Sequence, residues 1–425
     1  GGHRADVEGG ITSRDVGVYV HVPYCRATCL FCPYFRTVLR DRSEVERYLG
    51  LLLREVELYG KFLERLGLRV VELHAGGGTP SLVPPRFYRS LLEKLGEFFD
   101  VKTSVGLEAN PEDLVNRDSV EALRSAGVDE VSIGVQSFDR KVLLSLGRKH
   151  PPEVNARAVE NCVEAGFRWV NVDLMFLPPT VRGYAEFSPG EKLGLFRRDL
   201  EVSADSGVDQ VTYYATIVPR GSPGYRLVEL GRVYQEVDQL ELFVETAVDV
   251  LSARGMRMTR VYSFSRRGYE YATVNLEMVG PLIGFGAGAW SNTGLYQYVN
   301  THSMAEYAEL LGRGVPPAVY ARRIDPGARL WRILFDQLFT VGRMSKDAYR
   351  LANVSRFPAS FTLLIRLLTL SGLVKDRGDH YALTKRGIVE AYKAMINYVV
   401  GIPVEATRRL VEVGASRFYP ETLTI

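Results

Sequence analysis

Short apolar runs alternate with longer amphipathic runs along the first two-thirds of the chain. The short runs are rich in β-branched and aromatic residues, which favours strands, whereas the longer runs repeat apolar residues at helical spacing. Strands alternating with helices predict βαβ units and a parallel sheet. Six strands are predicted in this way: Gly17–Val22, Arg69–Ala75, Thr103–Ala109, Asp129–Gln136, Arg168–Phe176 and Asp209–Thr216.

Helices are predicted between these strands. The longest covers the charged, leucine-rich segment Ser43–Leu66, and two others, Glu112–Ala126 and Pro151–Ala165, each end beside a glycine. Glycine tolerates the left-handed geometry found at a helix C-terminus. Six β/α units predict an α/β fold with a partial, TIM-like (β/α)6 barrel, and a doubly wound open sheet is the alternative with the same pattern.

The pattern changes after Gly288. Residues 329–399 are mainly helical, and Leu363–Gly387 predicts a helix, a turn and a short hairpin, as in a winged-helix-like domain. Its charges are mixed, which predicts a packing role and no nucleic-acid binding. The predicted domains are a tail with a tag remnant at residues 1–16, the barrel at residues 17–310 and a C-terminal domain at residues 311–425.

Composition and charge are those of an ordinary folded protein. Of the 425 residues, 46% are hydrophobic and 24% are charged, and the formal net charge is +3. Such a balance predicts no electrostatic capture of nucleic acid. No run supplies the ~20 apolar residues of a bilayer span, and no signal peptide is evident, so we expect no transmembrane segment and a cytoplasmic location.

Three of the four cysteines lie on one short segment. Cys25, Cys29 and Cys32 follow the first strand with the spacing C-x3-C-x2-C, and Cys162 is predicted to be a buried small hydrophobe. Three thiolates on one loop can ligate three irons of a cubane cluster and leave the fourth iron open. Zinc is the competing hypothesis, but structural zinc takes four ligands. His21 lacks the usual ligand spacing and is predicted to be structural.

This loop resembles the signature of radical S-adenosylmethionine (SAM) enzymes. The segments "YVHVPYC", "LHAGGGTPS", "GLEANPEDL", "VSIGVQSFDRKVLLSLGRKH" and "VDLMFLPPT" follow in the order of one branch. That branch contains oxygen-independent coproporphyrinogen III dehydrogenase, heme chaperones and class C radical methyltransferases. The resemblance implies a 4Fe-4S cluster on the three cysteines and SAM on the fourth iron. Reductive cleavage of SAM then releases a 5′-deoxyadenosyl radical.

The resemblance also implies which residues contact SAM. Gly77, Gly78 and Thr79 hold the methionyl end, because glycines let the backbone approach a ligand closely. Glu108 and Asp173 suit the sulfonium or the ribose hydroxyls, since carboxylates attract a cation and accept directional bonds. In a β/α barrel such strand ends converge on one face. The other implied contacts are Tyr19, Phe31, Gln136 and Arg148, the last in the helix after the fourth strand.

A second glycine-rich stretch, "GPLIGFGAGAWSN", resembles the segment that approaches a second SAM in this branch. Gly284, Gly286 and Gly288 fit that role by resemblance. Ala215 and Trp290 are further candidates. The expected cofactors are therefore a 4Fe-4S cluster and two molecules of SAM.

Three functions stay open. Tyr34 stands where the coproporphyrinogen dehydrogenases have a further cysteine, and "YATVNLEMVGP" replaces the histidine-asparagine motif of the heme chaperones. The methyltransferases need neither feature, so methyl or methylene transfer to an sp2 carbon of a small molecule is the expected reaction. A tetrapyrrole reaction such as oxidative decarboxylation, and a heme or cluster carrier, are the alternatives. The expected partner is a low-potential electron donor such as ferredoxin or flavodoxin.

Overall fold

The computed structural model describes most of the chain. The described residues are 7–188, 190–220, 222–235, 239–268, 280–352 and 354–396. Twelve strands of the main sheet lie along a single hydrogen-bonded path. They are numbered β1 to β12 in the order in which they occur in the chain. Their bounds are Asp15–Val22, Arg69–Gly77, Val105–Ala109, Val128–Gln136, Trp169–Phe176, Gln210–Ala215, Arg257–Arg260, Ser263–Ser265, Leu282–Phe285, Trp290–Asn292, Tyr296–Asn300 and Ala318–Arg323.

Strands β1 to β6 are parallel, and each is hydrogen-bonded to the next one in chain order. A doubly wound sheet reverses its order at a switch point, whereas consecutive order builds a barrel wall. The predicted partial barrel of six units is therefore confirmed. The bounds of β1 to β5 differ from the predicted ones by one or two residues at one end, and those of β6 by one residue at each end.

The helices of the barrel begin and end with local signals. The side chains of Asp41 and Asn116 cap the first and third helices by accepting backbone N–H groups. Gly127 and Gly166 follow two helices with φ of 95° and 70°, as predicted for glycine there. The helices α1 to α11 are Arg42–Leu63, Arg86–Gly96, Arg117–Ser125, Arg140–Ser145, Pro152–Glu164, Glu191–Asp205, Tyr225–Glu229, Leu240–Ala253, Met304–Gly312, Pro326–Phe335 and Ala359–Leu370.

The main sheet extends beyond its parallel strands on both sides. On one side, β8 is antiparallel to β6 and β7 is antiparallel to β8. On the other side, β9 pairs in parallel with β1, and β10 to β12 follow, each antiparallel to the strand before it. The sheet thus runs to Arg323, past the predicted boundary at residue 310. Because β9 neighbours β1, the glycine-rich segment after β9 emerges at the same edge as the cysteine loop after β1.

The C-terminal part has a small core of its own, built mainly from α10, α11 and the turns between them. Three short antiparallel strands, Arg343–Ser345, Val374–Asp376 and His380–Leu383, complete the predicted helix, turn and hairpin. A buried ion pair of Arg260 with Asp336, at 3.1 Å, joins this part to β7.

Helical residues 385–396 pack into the main core instead. The Tyr392 hydroxyl donates to the Tyr213 carbonyl and accepts the Ala215 N–H, both at 3.0 Å. The end of β6 is therefore held from the C-terminal side of the chain. Residues 397–425 lie outside the described residues.

The described part of the N-terminal tail is packed. Val7 is buried in the main core, and Glu8 forms an ion pair with Arg65. Residues 1–6, where a tag remnant is predicted, lie outside the described residues. Across the described ranges, no helix combines the length and apolar composition that crossing a membrane requires.

A buried carboxyl group connects α1 to the glycine-rich segment. Glu55 is fully buried and accepts hydrogen bonds from the Gly286 N–H at 2.7 Å, the Tyr307 hydroxyl at 2.6 Å and the Asn300 amide at 2.7 Å. These three donors compensate the cost of burying a carboxyl group. Burial still raises the pKa of Glu55 to about 7.

This raised pKa predicts a stability that falls with rising pH. The ordinary pKa is 4.5, so the folded protein holds an extra proton between about pH 4.5 and 7. The free energy of unfolding should decrease by up to roughly 3 kcal/mol over that interval. Glu55→Gln should abolish this decrease, measured by urea unfolding at pH 5 and pH 8. The control Glu57→Gln, exposed on the same helix, should retain it. An equal slope in both variants would contradict the assignment.

Candidate functional site

The predicted site residues converge at the carboxyl ends of the parallel strands. Tyr19 lies in β1, Glu108 in β3 and Asp173 in β5, while Gly77 and Gln136 end β2 and β4. Burial is the main cause that raises the pKa of Asp173, and the charge of Glu108 adds to it. Five strands thus bring their predicted residues to one edge of the sheet, which is where β/α barrels place their chemistry.

The cysteine loop is pinned at several points. Cys25 lies in a two-residue strand, Tyr24–Cys25, that pairs with Thr37–Val38 and closes the loop at its base. Leu30 bonds through its N–H to the Leu146 carbonyl at 3.2 Å, and its carbonyl accepts the Gly224 N–H at 2.9 Å. The loop is therefore tied to the end of α4 and to the segment after β6.

The three loop thiols are free and partly accessible. Burial raises the pKa of Cys25 to about 11 and also raises that of Cys32, while the Arg36 guanidinium opposes both shifts. The Thr79 hydroxyl donates to the Cys25 sulfur at 3.6 Å. Thiols of this kind become thiolates when a metal replaces the proton.

The donor set fits an iron-sulfur cluster. Within the part of the chain that the structure describes, no three His, Cys, Asp or Glu side chains are grouped closely enough to hold one metal ion. A cubane cluster does not need such a group, because each thiolate binds a different iron. A single zinc ion does need it. Cys25, Cys29 and Cys32 would hold the cluster, and their ligand role stays a prediction.

The first glycine run is needed for packing beside the loop. Gly77 has φ of 104°, and a Cβ there would lie 2.5 Å from the His21 ring. A Cβ on Gly78 would lie 2.7 Å from the Pro23 carbonyl carbon and the Tyr24 oxygen. These glycines let β2 end against the segment that leads into Cys25. Their predicted contact with SAM is compatible with this role and stays a prediction.

The two carboxylates differ in their surroundings. Glu108 contacts the His74 ring at 3.1 Å and accepts the Gly77 N–H at 3.2 Å. Asp173 accepts from the Ser132 hydroxyl at 2.7 Å and from the Asn171 amide at 3.0 Å. Burial raises the pKa of Asp173 to about 6. A desolvated carboxylate beside a second one is suited to a cationic ligand.

Gln136 and Arg148 meet near Gly134, where a Cβ would lie 2.9 Å from the Gln136 amide nitrogen and 3.5 Å from the guanidinium. Gln136 has φ of 66°, an uncommon value for a residue other than glycine. Arg148 lies in the turn between α4 and α5 and not in a helix as predicted, because Gly147, with φ of 82°, ends α4. Among the described residues, the buried Nε of Arg148 has no hydrogen-bond partner.

The second glycine segment also packs against the protein. Gly286 has φ of 106°, and a Cβ there would lie 2.5 Å from the His21 carbonyl oxygen. A Cβ on Gly288 would overlap the Phe35 ring, and one on Gly284 would overlap the Trp290 carbonyl. The Trp290 ring lies under the Arg332 guanidinium, 5.1 Å from it. These contacts explain the glycines without a ligand.

Phe31 lies in a small hydrophobic cluster with Val142, Leu146 and Met175, which packs the tip of the cysteine loop onto α4 and β5. Ala215 bonds through its N–H to Tyr392, as described above. The predicted SAM contacts of both residues stay predictions.

Sequence analysis did not assign His74, Ser132 or Asn171 to the site. The Tyr19 ring stacks on His74 with centroids 5.9 Å apart, and Ser132 and Asn171 hold Asp173. His74 pairs in register with Tyr19, and Ser132 pairs with Glu108 and Asn171. Each of the three is a polar residue in a buried strand, and this is the signal that the sequence offers. The residue that each one contacts can be identified only from strand register.

The chain is similar in sequence to known proteins. Residues 19–182 match the Radical SAM superfamily. The chain is 29% identical over 378 residues to a heme chaperone of Mycobacterium tuberculosis, covering 87% of the chain and 91% of that protein. It is 25% identical over 381 residues to the oxygen-independent coproporphyrinogen III oxidase of Cereibacter sphaeroides, covering 88% and 84%.

A solved structure shows the same fold. Coproporphyrinogen III oxidase from Escherichia coli, a radical SAM enzyme, superposes with a TM-score of 0.74 at 20% identity and covers 92% of this chain and 93% of its own. The match therefore includes the C-terminal part as well as the barrel. Residues 19–182 are therefore a radical SAM domain, and the chain as a whole is similar to a heme chaperone and to oxygen-independent coproporphyrinogen III oxidases.

Proposed function

We propose that this protein cleaves SAM reductively and acts on a tetrapyrrole. The observation that carries the proposal is the pinned loop of Cys25, Cys29 and Cys32 at the barrel edge that also holds Glu108 and Asp173. The tetrapyrrole part is supported by relatives that are similar over most of the chain and are named for heme or coproporphyrinogen III.

The chain's own residues bind and orient SAM in this proposal. A 4Fe-4S cluster, when bound, supplies the electron that cleaves the sulfonium. Glu108 and Asp173 attract the sulfonium or accept the ribose hydroxyls. The buried Nε of Arg148 has no hydrogen-bond partner among the described residues. In this proposal the Arg148 guanidinium pairs with the carboxylate of SAM. Backbone groups at Gly77 and Gly78 lie beside Cys25, where the methionyl end is expected.

Methyl transfer, the reaction expected from the sequence, is not supported by these relatives, and the tetrapyrrole alternative is favoured. The close packing of Gly284, Gly286 and Gly288 on the protein supports a proposal with one SAM. Heme carriage is the second candidate, favoured by the similarity to a heme chaperone. The segment 271–279, which replaces the chaperone motif, lies outside the described residues.

Reduction needs an electron donor, and we include a low-potential carrier such as ferredoxin or flavodoxin in the proposal. Arg40 and Arg42 lie beside the cysteine loop and are exposed, whereas Arg26, on the loop, pairs with Asp113. Arg40 and Arg42 present positive charge to a carrier with an acidic surface. A cytoplasmic location is also part of the proposal.

The cluster assignment is tested by two cysteine variants. Cys29→Ala should abolish the visible absorption of the reconstituted cluster and the formation of 5′-deoxyadenosine, because one iron loses its thiolate. Cys162→Ala should leave both unchanged. Cys162 is fully buried, and burial raises its pKa to about 12, so it is an inert apolar group. Cleavage of SAM that survives in Cys29→Ala would refute the assignment.

The role of Asp173 is tested by the pH dependence of SAM binding. Since its pKa is raised to about 6, it is ionised at pH 7.5 and largely neutral at pH 5. SAM affinity, measured by calorimetry, should therefore fall as the pH is lowered through about 6. Asp173→Asn should bind SAM roughly tenfold more weakly at pH 7.5 and lose this component of the pH dependence.

Asp209→Asn is the matched control. Asp209 accepts the Val170 N–H at 2.9 Å at the amino ends of the strands, away from the site. It should bind SAM like the wild type. Wild-type affinity in Asp173→Asn at both pH values would contradict the assignment.

The reaction is tested by incubating the reduced, reconstituted protein with labelled SAM and coproporphyrinogen III or heme. A tetrapyrrole enzyme gives 5′-deoxyadenosine together with a changed tetrapyrrole, and release of carbon dioxide identifies decarboxylation. Heme retained without SAM cleavage favours the carrier function. Methyl label in a product, with S-adenosylhomocysteine, would contradict the proposal.

A further inference from the structure

Two tyrosines lie beside the carboxylates of the site without a part in the proposed SAM binding. Tyr214 is the penultimate residue of β6, and its neighbour Tyr213 is buried in the outer core. Thr212 pairs in register with Asp173. Because side chains alternate along a strand, Tyr214 lies on the inner face with Thr212 and Asp173. Its surface is 36% exposed, although it lies inside the barrel.

A second tyrosine extends this aromatic surface. The Tyr262 ring, between β7 and β8, lies 5.7 Å from the Tyr214 ring at an interplanar angle of 30°. The two rings therefore lie side by side on the face of β6 that Asp173 neighbours. Burial is the main cause that raises the pKa of Tyr214, and Asp173 and Tyr262 add to it.

We propose that Tyr214 and Tyr262 form an aromatic wall that stacks a planar tetrapyrrole beside the SAM site. This inference rests on the proposed function and adds the position of the macrocycle.

The chemistry of the wall selects this class of ligand. Two adjacent rings offer a surface wider than one aromatic ring, which suits an extended conjugated system in offset stacking. Asp173 and Glu108 lie next to the wall and repel an anionic group. The uncharged face of the macrocycle is therefore the part that meets the tyrosines, and its carboxylate substituents point away from the two acidic side chains.

The wall is tested by titrating the full-length, reconstituted protein with hemin and following the Soret absorption and its induced circular dichroism. Tyr214→Ala and Tyr262→Ala should each weaken hemin binding about tenfold, since each loses a stacking face and the area it buries. Tyr214→Phe should bind within about twofold of the wild type, because the ring is kept. Tyr262 lies in the turn between β7 and β8, so its variant tests the wall even if Tyr214→Ala does not fold.

Tyr320→Ala is the matched control, since Tyr320 is a partly exposed tyrosine on the edge strand β12. It should bind hemin like the wild type. Wild-type affinity in both Tyr214→Ala and Tyr262→Ala would overturn the wall and leave the proposed function intact. A wild-type protein that binds neither hemin nor coproporphyrinogen III would overturn both. Equal loss in Tyr320→Ala would also overturn the wall.

Discussion

His21 is the residue at which the two glycine segments and the cysteine loop meet. It is buried, and burial lowers its pKa to about 4, so the imidazole is neutral. The Phe35 carbonyl, 3.0 Å from Nε2, can only accept, so Nε2 carries the proton and Nδ1 accepts from the Tyr19 hydroxyl at 2.9 Å. Gly77 approaches the ring and Gly286 approaches the backbone oxygen. These contacts, none of which involves a sulfur atom, help to position the loop that carries the thiols.

The need to hold His21 and the second glycine segment in place explains why buried polar groups surround the loop. The Tyr48 hydroxyl donates to the His21 carbonyl at 2.6 Å and accepts the Ala287 N–H at 3.0 Å, and Glu55 holds Gly286 from the same helix. Each group has donors or acceptors that match its own, which is the condition for a buried polar network to specify one arrangement. The protein's own contacts therefore hold the loop, and such preorganisation lowers the cost of binding.

Much of this arrangement could be predicted from the sequence. The six parallel strands, the cysteine loop after β1 and the glycine run after β2 follow from local patterns, which fix element type well. Three features could not be predicted. The first is the pairing of β9 with β1, which brings the second glycine segment to the loop. The second is the burial of Glu55, which places an acidic side chain on the buried side of an amphipathic helix. The third is the role of Tyr214, because the local sequence shows only another aromatic residue in a strand. Each depends on contacts between residues far apart in the chain, which neither periodicity nor spacing contains.

The proposed action on a tetrapyrrole depends on the radical chemistry of SAM cleavage. The most direct test measures iron, sulfide and zinc in the anaerobically reconstituted protein and records its electron paramagnetic resonance spectrum with and without SAM. The account predicts about four iron and four sulfide per chain, with a spectrum that changes when SAM binds the open iron. About one zinc per chain without sulfide, or a cluster spectrum that SAM leaves unchanged, would contradict it.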